Sequence, residues 1–236
     1  NYVLRTTEYG EKQLVAFKQG ESAANPVFIV ALSSPANPTY IFTLFQNLDH
    51  PNGSGPLDLN FTIRVTDRDG DFVDRTVNVS VVDSIPTIPA TTEQVTGVND
   101  DALFGGNLEP GDTKTASGTL SHNFGADEDG QLSWLNPTLP ATGGYSSLIT
   151  GTTLDIYQLQ DGVDVRVFTV TLDPDTGAYT VTQTAPIRHP SGNGETGESF
   201  NLNYRVTDGD DDYVDSHLKV VVGDDIPVIT GPATQV

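Results

Sequence analysis

The sequence predicts an all-β protein made of two tandem antiparallel β-sandwich units of the Ig-like or cadherin-like kind. Three observations carry that reading: a long internal repeat, apolar/polar alternation with period two, and glycine and proline placed between the alternating runs. The segment RVTDRDGDFVDRTVNVSVVDSIPTI (64–88) recurs as RVTDGDDDYVDSHLKVVVGDDIPVI (205–229), with 14 of 25 positions identical. The match extends upstream, HPNGSG (50–55) against HPSGNG (189–194) and NPVFIVAL (25–32) against VRVFTVTL (165–172).

Taken in chain order, unit one spans 1–92 and unit two 93–236. Unit two reads as complete, whereas unit one begins where unit two has already reached about residue 140, so unit one is expected to lack its first third or to have that third elsewhere in the parent chain. In unit one Phe61, Ile63 and Val65 alternate with Thr62, Arg64 and Thr66, and Val77, Val79 and Val81 alternate with Asn78 and Ser80. That pattern gives half-buried antiparallel strands. The run 84–89 (SIPTIP) reads as a linker stiffened by its prolines. In unit two the DPDTG stretch at 173–177 is a short turn between strands at 167–172 and 179–184. No stretch reads as an amphipathic helix.

Charge narrows the function. With 32 acidic and 11 basic side chains the net charge is −21, which repels phosphate backbones and anionic lipid, so nucleic acid and anionic membranes are poor partners. No apolar run approaches the 18 residues of a membrane span. The start at Asn1 shows no charged or apolar leader region, and the sequence is expected to be an internal part of a longer chain. There are no cysteines and no methionines, which excludes disulfides and thiolate sites. A zinc site would have only four widely spaced histidines to draw on.

The acidic residues are patterned. Asp67, Asp69, Asp71 and Asp74 form D-x-D-x-D-x-x-D, repeated as Asp208, Asp210, Asp212 and Asp215. Carboxylates two apart in a tight loop can converge on one hard cation, and Ca²⁺ takes six to eight oxygens. The loop is no EF-hand, because its twelfth position is Asn78 or Lys219 and a strand follows. Solvated turn aspartates are the bland alternative, weakened by four carboxylates in eight positions, twice.

Each loop precedes the last strand of its unit, which carries the chain roughly 30 Å to the opposite pole. The unit-two loop is therefore expected to meet the junction of Asp83 with Asn99, Asp100 and Asp101, forming a shared calcium site. By the same logic Asp224 and Asp225 are expected at the next junction, and neighbouring repeats of the same chain are the expected partners. Unit two carries 22 acidic and 5 basic side chains, and Asp127, Glu128, Asp129, Asp173 and Asp175 are its further candidates, with a solvated acidic turn the equal alternative for Asp173 and Asp175.

The repeat of about 141 residues, with D-x-D-x-D, the closing V-x-V-x-D-x-I-P and LDPDTGAYT (172–180), resembles the T1SS-143-type repeats of large bacterial RTX adhesins exported by type I secretion. The resemblance covers unit two and about two thirds of unit one. It implies a calcium-dependent module of a secreted, cell-surface attachment or biofilm protein, supporting an inserted or adjacent ligand-binding domain. Two features depart from the family: unit one has SSPANPTYIFT where the DPDTG turn belongs, and the glycine-rich nonapeptide of the RTX β-roll is absent. Unit one is then either the C-terminal part of a split scaffold domain or a segment cut arbitrarily.

Other classes fare less well. Paired carboxylates can hydrolyse glycosides, but no G-x-S-x-G, H-E-x-x-H or phosphate-cradling loop occurs, and no enzymatic activity is expected. His50 and His189 stand at equivalent positions before Pro51 and Pro190 and read as turn residues, since neither has a partner base in sequence. A lectin-like alternative would use Trp134, Tyr145 or Tyr157 beside calcium as a stacking platform, though Trp134 alternates with Leu132 and reads as core. The expectation is a monomeric, calcium-stabilised scaffold.

Overall fold

The computed structural model describes residues 1–33, 39–50, 55–89, 93–127, 129–189 and 196–225. Outside them lie Glu128, most of the two HP-N/S-G stretches, part of SSPANP, and the residues from Ile226 on. The chain divides into Asn1–Ile85 and Pro86–Val236. The boundary expected at 92 thus falls inside unit two, because Thr87 bridges Asn123 and Ile88 packs on that unit's core.

Among its described residues unit one holds six strands: β1 (Tyr2–Thr6), β2 (Lys12–Ala16), β3 (Phe28–Leu32), β4 (Tyr40–Leu44), β5 (Leu57–Thr66) and β6 (Phe72–Val81). The first four form an antiparallel meander, and β5 and β6 a separate ten-rung hairpin from Leu57↔Val81 to Thr66↔Phe72. Phe61 on the hairpin meets Phe28 and Phe42 of the meander at ring-centroid distances of 5.8 and 6.3 Å, so the two sheets face each other.

Unit two repeats this frame and adds to it. Its strands are β7 (Gln94–Asn99), β8 (Thr115–Thr119), β9 (Gln131–Trp134), β10 (Tyr145–Thr150), β11 (Thr153–Gln160), β12 (Val163–Leu172), β13 (Ala178–Gln183), β14 (Glu198–Thr207) and β15 (Tyr213–Gly223). They form a five-stranded sheet, β10-β11-β12-β13-β8, and a four-stranded one, β7-β15-β14-β9. Strands β10 to β15 match β1 to β6; among the described residues, unit one has no counterpart of β7, β8 and β9.

The unit-two core lies between these sheets. Phe200, Leu202, Tyr204 and Val206 alternate inward from β14, and Leu218, Val220 and Val222 from β15. Phe168 of the opposite sheet meets Phe200 edge-on at 5.0 Å. Period-two apolar residues from both sheets thus interdigitate, the packing expected of a sandwich. Trp134, 5% exposed, is part of this core.

Among the described residues all strand pairings are antiparallel except one. Strand β7 runs parallel to β15, from Gln94 beside Leu218 to Asn99 beside Gly223. This overturns the expected grouping of Asp100 and Asp101 with the Asp208 loop. That loop precedes β15 whereas Asp100 follows β7, and parallel pairing delivers the two to opposite ends of the same strand.

Candidate metal centres

The β14–β15 turn forms because its aspartates bond the backbone. Asp208 N donates to Asp212 O at 3.0 Å, and Asp208 Oδ1 accepts Asp212 N at 2.9 Å. Asp211 takes a left-handed conformation, φ +76°, where unit one has Gly70 at φ +104°.

A second segment then covers the turn. Gly209 N donates to Asp127 O at 3.1 Å, and Phe124 and Gly130 flank the same place. A Cβ on Gly130 would lie 2.3 Å from Phe124 Cδ1 and 2.5 Å from Thr207 O. Asp127, Asp208 and Asp210 consequently offer three carboxylate oxygens within 4.8 Å of one another.

Asp208 is 5% exposed, and its Oδ2 is buried with no hydrogen-bond partner. Burial first, and then neighbouring Asp210, push its carboxyl up to about 6. Clustered carboxylates out of water are costly unless a cation or proton neutralises them. An all-oxygen set of this kind suits Ca²⁺, whose bonds of about 2.3–2.6 Å place donors up to about 5 Å apart across the ion.

Unit one shows the same turn without the cover. Asp67 N donates to Asp71 O at 2.9 Å and Asp67 Oδ1 accepts Gly70 N at 3.1 Å, yet Asp67, Asp69 and Asp71 are all exposed. Their carboxylate oxygens also gather within 4.8 Å. Here the Asp67 carboxyl is lowered, chiefly by its hydrogen bond with Asp69.

Asp74 and Asp215, the fourth members of each motif, go elsewhere. Each sits opposite an arginine in the hairpin register and takes a two-pronged bond, Arg64 to Asp74 at 2.8 and 2.8 Å and Arg205 to Asp215 at 2.7 and 2.9 Å. The guanidinium groups stack on Phe72 and Tyr213 at 3.8 and 3.6 Å. These aspartates anchor hairpins, and both oxygens are engaged. Asp212 closes the unit-two turn through its backbone.

Of the further candidates, Asp127 joins the cluster and Asp129 is exposed. Asp173 accepts Asp175 N at 3.0 Å and Thr176 N at 3.1 Å, a turn cap that lowers its carboxyl.

The opposite pole of unit two gathers a second group. After β7, Asn99 caps the 3-10 turn Asp100–Ala102, its side chain accepting Asp101 N at 2.9 Å. Asp100 is buried and fixed by Gln183 Nε2 and by Ile187 N at 3.0 Å. Asp101 accepts Asn107 N at 3.2 Å, and Asn107 Nδ2 donates to Asp225 at 3.4 Å. Asp225 is pushed up by burial, then by Asp101, Asp100 and Asp224.

His189 closes this group, its Nε2 3.5 Å from Asp100 and 4.0 Å from Asp224. In unit one His50 Nδ1 stands 3.3 Å from Asp83 Oδ1, and its Nε2 is 3.1 Å from Val81 O. Both histidines, read from sequence as turn residues, therefore face aspartates. Their recurrence at equivalent positions was the only sequence signal for it.

A family model described as "Domain of unknown function (DUF5801)" matches residues 91–221. No curated protein matches the chain.

Proposed function

The chain belongs to the DUF5801 family, and we propose that it is a calcium-stabilised structural module, a scaffold within a secreted bacterial surface adhesin exported by type I secretion. In this reading it catalyses nothing and supports or presents a ligand-binding domain of the same protein. The observation that carries the calcium part is the buried Asp208 oxygen, aimed among Asp127 and Asp210 without a partner. The adhesin part rests on the repeat and its resemblance.

Calcium bound there acts by mass action. An ion that binds only the folded unit at a hundred times its Kd stabilises by about 2.7 kcal/mol. It removes the mutual repulsion of the three carboxylates and ties the 124–130 segment to the β14–β15 turn. A lectin-like role would need an exposed aromatic platform, whereas Trp134 is in the core and Tyr145 packs edge-on to Phe200 at 5.0 Å.

The test compares the parent with the Asp208→Asn, Asp210→Asn double variant by calorimetric titration and melting. The parent gains roughly 5–10 °C in saturating calcium, at the usual 2–4 °C per kcal/mol for this size. The variant gains little from calcium and melts at or above the parent in chelator, where the parent's carboxylates still repel one another. Equal melting of the two in calcium would sink the proposal. An array of glycans, bound by neither in calcium, separates a scaffold from a lectin.

A further inference from the structure

We propose that Asp100, His189 and Asp224 form a site for a borderline transition-metal ion of the Zn²⁺ class, distinct from the all-oxygen calcium site at the other pole of unit two. The donor set is the first argument. One imidazole and two carboxylates suit Zn²⁺ and its neighbours, while Ca²⁺ takes oxygen ligands almost alone.

Geometry is the second. Tetrahedral Zn²⁺ with bonds of about 2.0–2.2 Å holds its donors about 3.4 Å apart. Nε2 of His189 lies 3.5 Å from Asp100 Oδ2 and 4.0 Å from Asp224 Oδ1, within about 0.6 Å of that spacing. The three ligand atoms lie within 4.8 Å of one another.

Burial is the third, and it is independent of the acidic count. The His189 side chain is 3% exposed; neither ring nitrogen makes a hydrogen bond, and Nε2 is held only by the long ion pairs to Asp100 and Asp224. A buried polar ring left in that state is costly unless a ligand uses it. Asp100 is held in place by Gln183 and the Ile187 amide, the outer bonds that orient a ligating carboxylate. Asp101 and Asp225 add negative charge beside the site.

The experiment uses the full chain with calcium saturating and Zn²⁺ titrated in. Calorimetry is expected to show one tight equivalent per chain, and nitrogen-15 spectra of the unmodified protein to show the His189 ring resonances displaced at one equivalent, with those of His122 unmoved. The His189→Asn variant should lose about 100-fold or more in Zn²⁺ affinity, the upper end of what even an outer-shell partner contributes, while keeping its calcium response. The Asp208→Asn, Asp210→Asn variant should lose calcium and keep Zn²⁺, so the two sites fail separately. Unmoved His189 resonances overturn the inference, as does undiminished Zn²⁺ binding in His189→Asn. Loss of binding on His217→Gln also overturns it, tracing the ion to the exposed His217–Glu93 pair.

Discussion

The backbone amide of Gly209 donates to the carbonyl oxygen of Asp127 at 3.1 Å, and that bond fixes an acidic turn beneath a segment from far earlier in the chain. Its effect shows in the two copies of the motif. The Asp208 carboxyl is raised by burial, whereas the Asp67 carboxyl, in the uncovered copy, is lowered by its hydrogen bonds. The same aspartates make a desolvated cluster in one unit and a solvated turn in the other.

A pH dependence follows from Asp208. Its folded-state value of about 6 lies above the usual 3.8, so the folded chain binds more protons between those two values. Stability therefore falls as pH rises through that window. In chelator the unit is expected to melt higher at pH 5 than at pH 7, and Asp208→Asn should shrink that difference to the part that His189 and Asp225, also raised, contribute. In calcium the trend reverses, because protons compete with the ion for the same oxygens.

Asp215, by contrast, behaves as a hairpin anchor. Its partner Arg205 is about a third exposed and the aspartate nearly half, so solvent screens the pair. Asp215→Asn is expected to cost less than about 1 kcal/mol in urea unfolding. Calcium stoichiometry, read by titration, stays that of the parent. A lost equivalent would return Asp215 to the ligand set.

Asp211→Gly should stabilise unit two. The residue holds φ +76°, and the equivalent residue of unit one is already Gly70 at φ +104°. Relief of left-handed strain offsets the extra freedom that glycine gives the unfolded chain, for a net gain of up to about 1 kcal/mol. Calcium affinity should not change, since Asp211 contributes no carboxylate to the cluster.

Gly130→Ala tests the cover itself. The added methyl would collide with the Phe124 ring and with the Thr207 carbonyl, directly before Asp208. Overpacking of this kind costs about 1–3 kcal/mol. Melting in calcium should fall and calcium affinity with it, whereas Gly209→Ala, whose nearest contact would be 3.4 Å, should be milder.

Much of the architecture was open to a reading of the residues alone. The repeat announced two units, and alternation in 57–66 and 72–81 reappears as the β5–β6 hairpin and again as β14–β15. Among the described residues, strands β10 to β15 of unit two have counterparts in β1 to β6 of unit one, and β7, β8 and β9 have none. These features are local: side-chain period and turn chemistry are set by neighbours within a few positions.

The tertiary structure alone decided which carboxylates matter together. Asp74 and Asp215 carry the same spacing as their neighbours, yet the register across each hairpin hands them to Arg64 and Arg205. Asp100 reaches Asp224 because β7 pairs parallel to β15, and a one-dimensional pattern holds no sign of strand direction. His189 and Asp127 join their clusters through contacts that span much of the unit. Sequence spacing fixes where a side chain sits along its own strand, but burial and convergence arise only when distant segments pack, and burial is what makes an ordinary aspartate or histidine a candidate ligand.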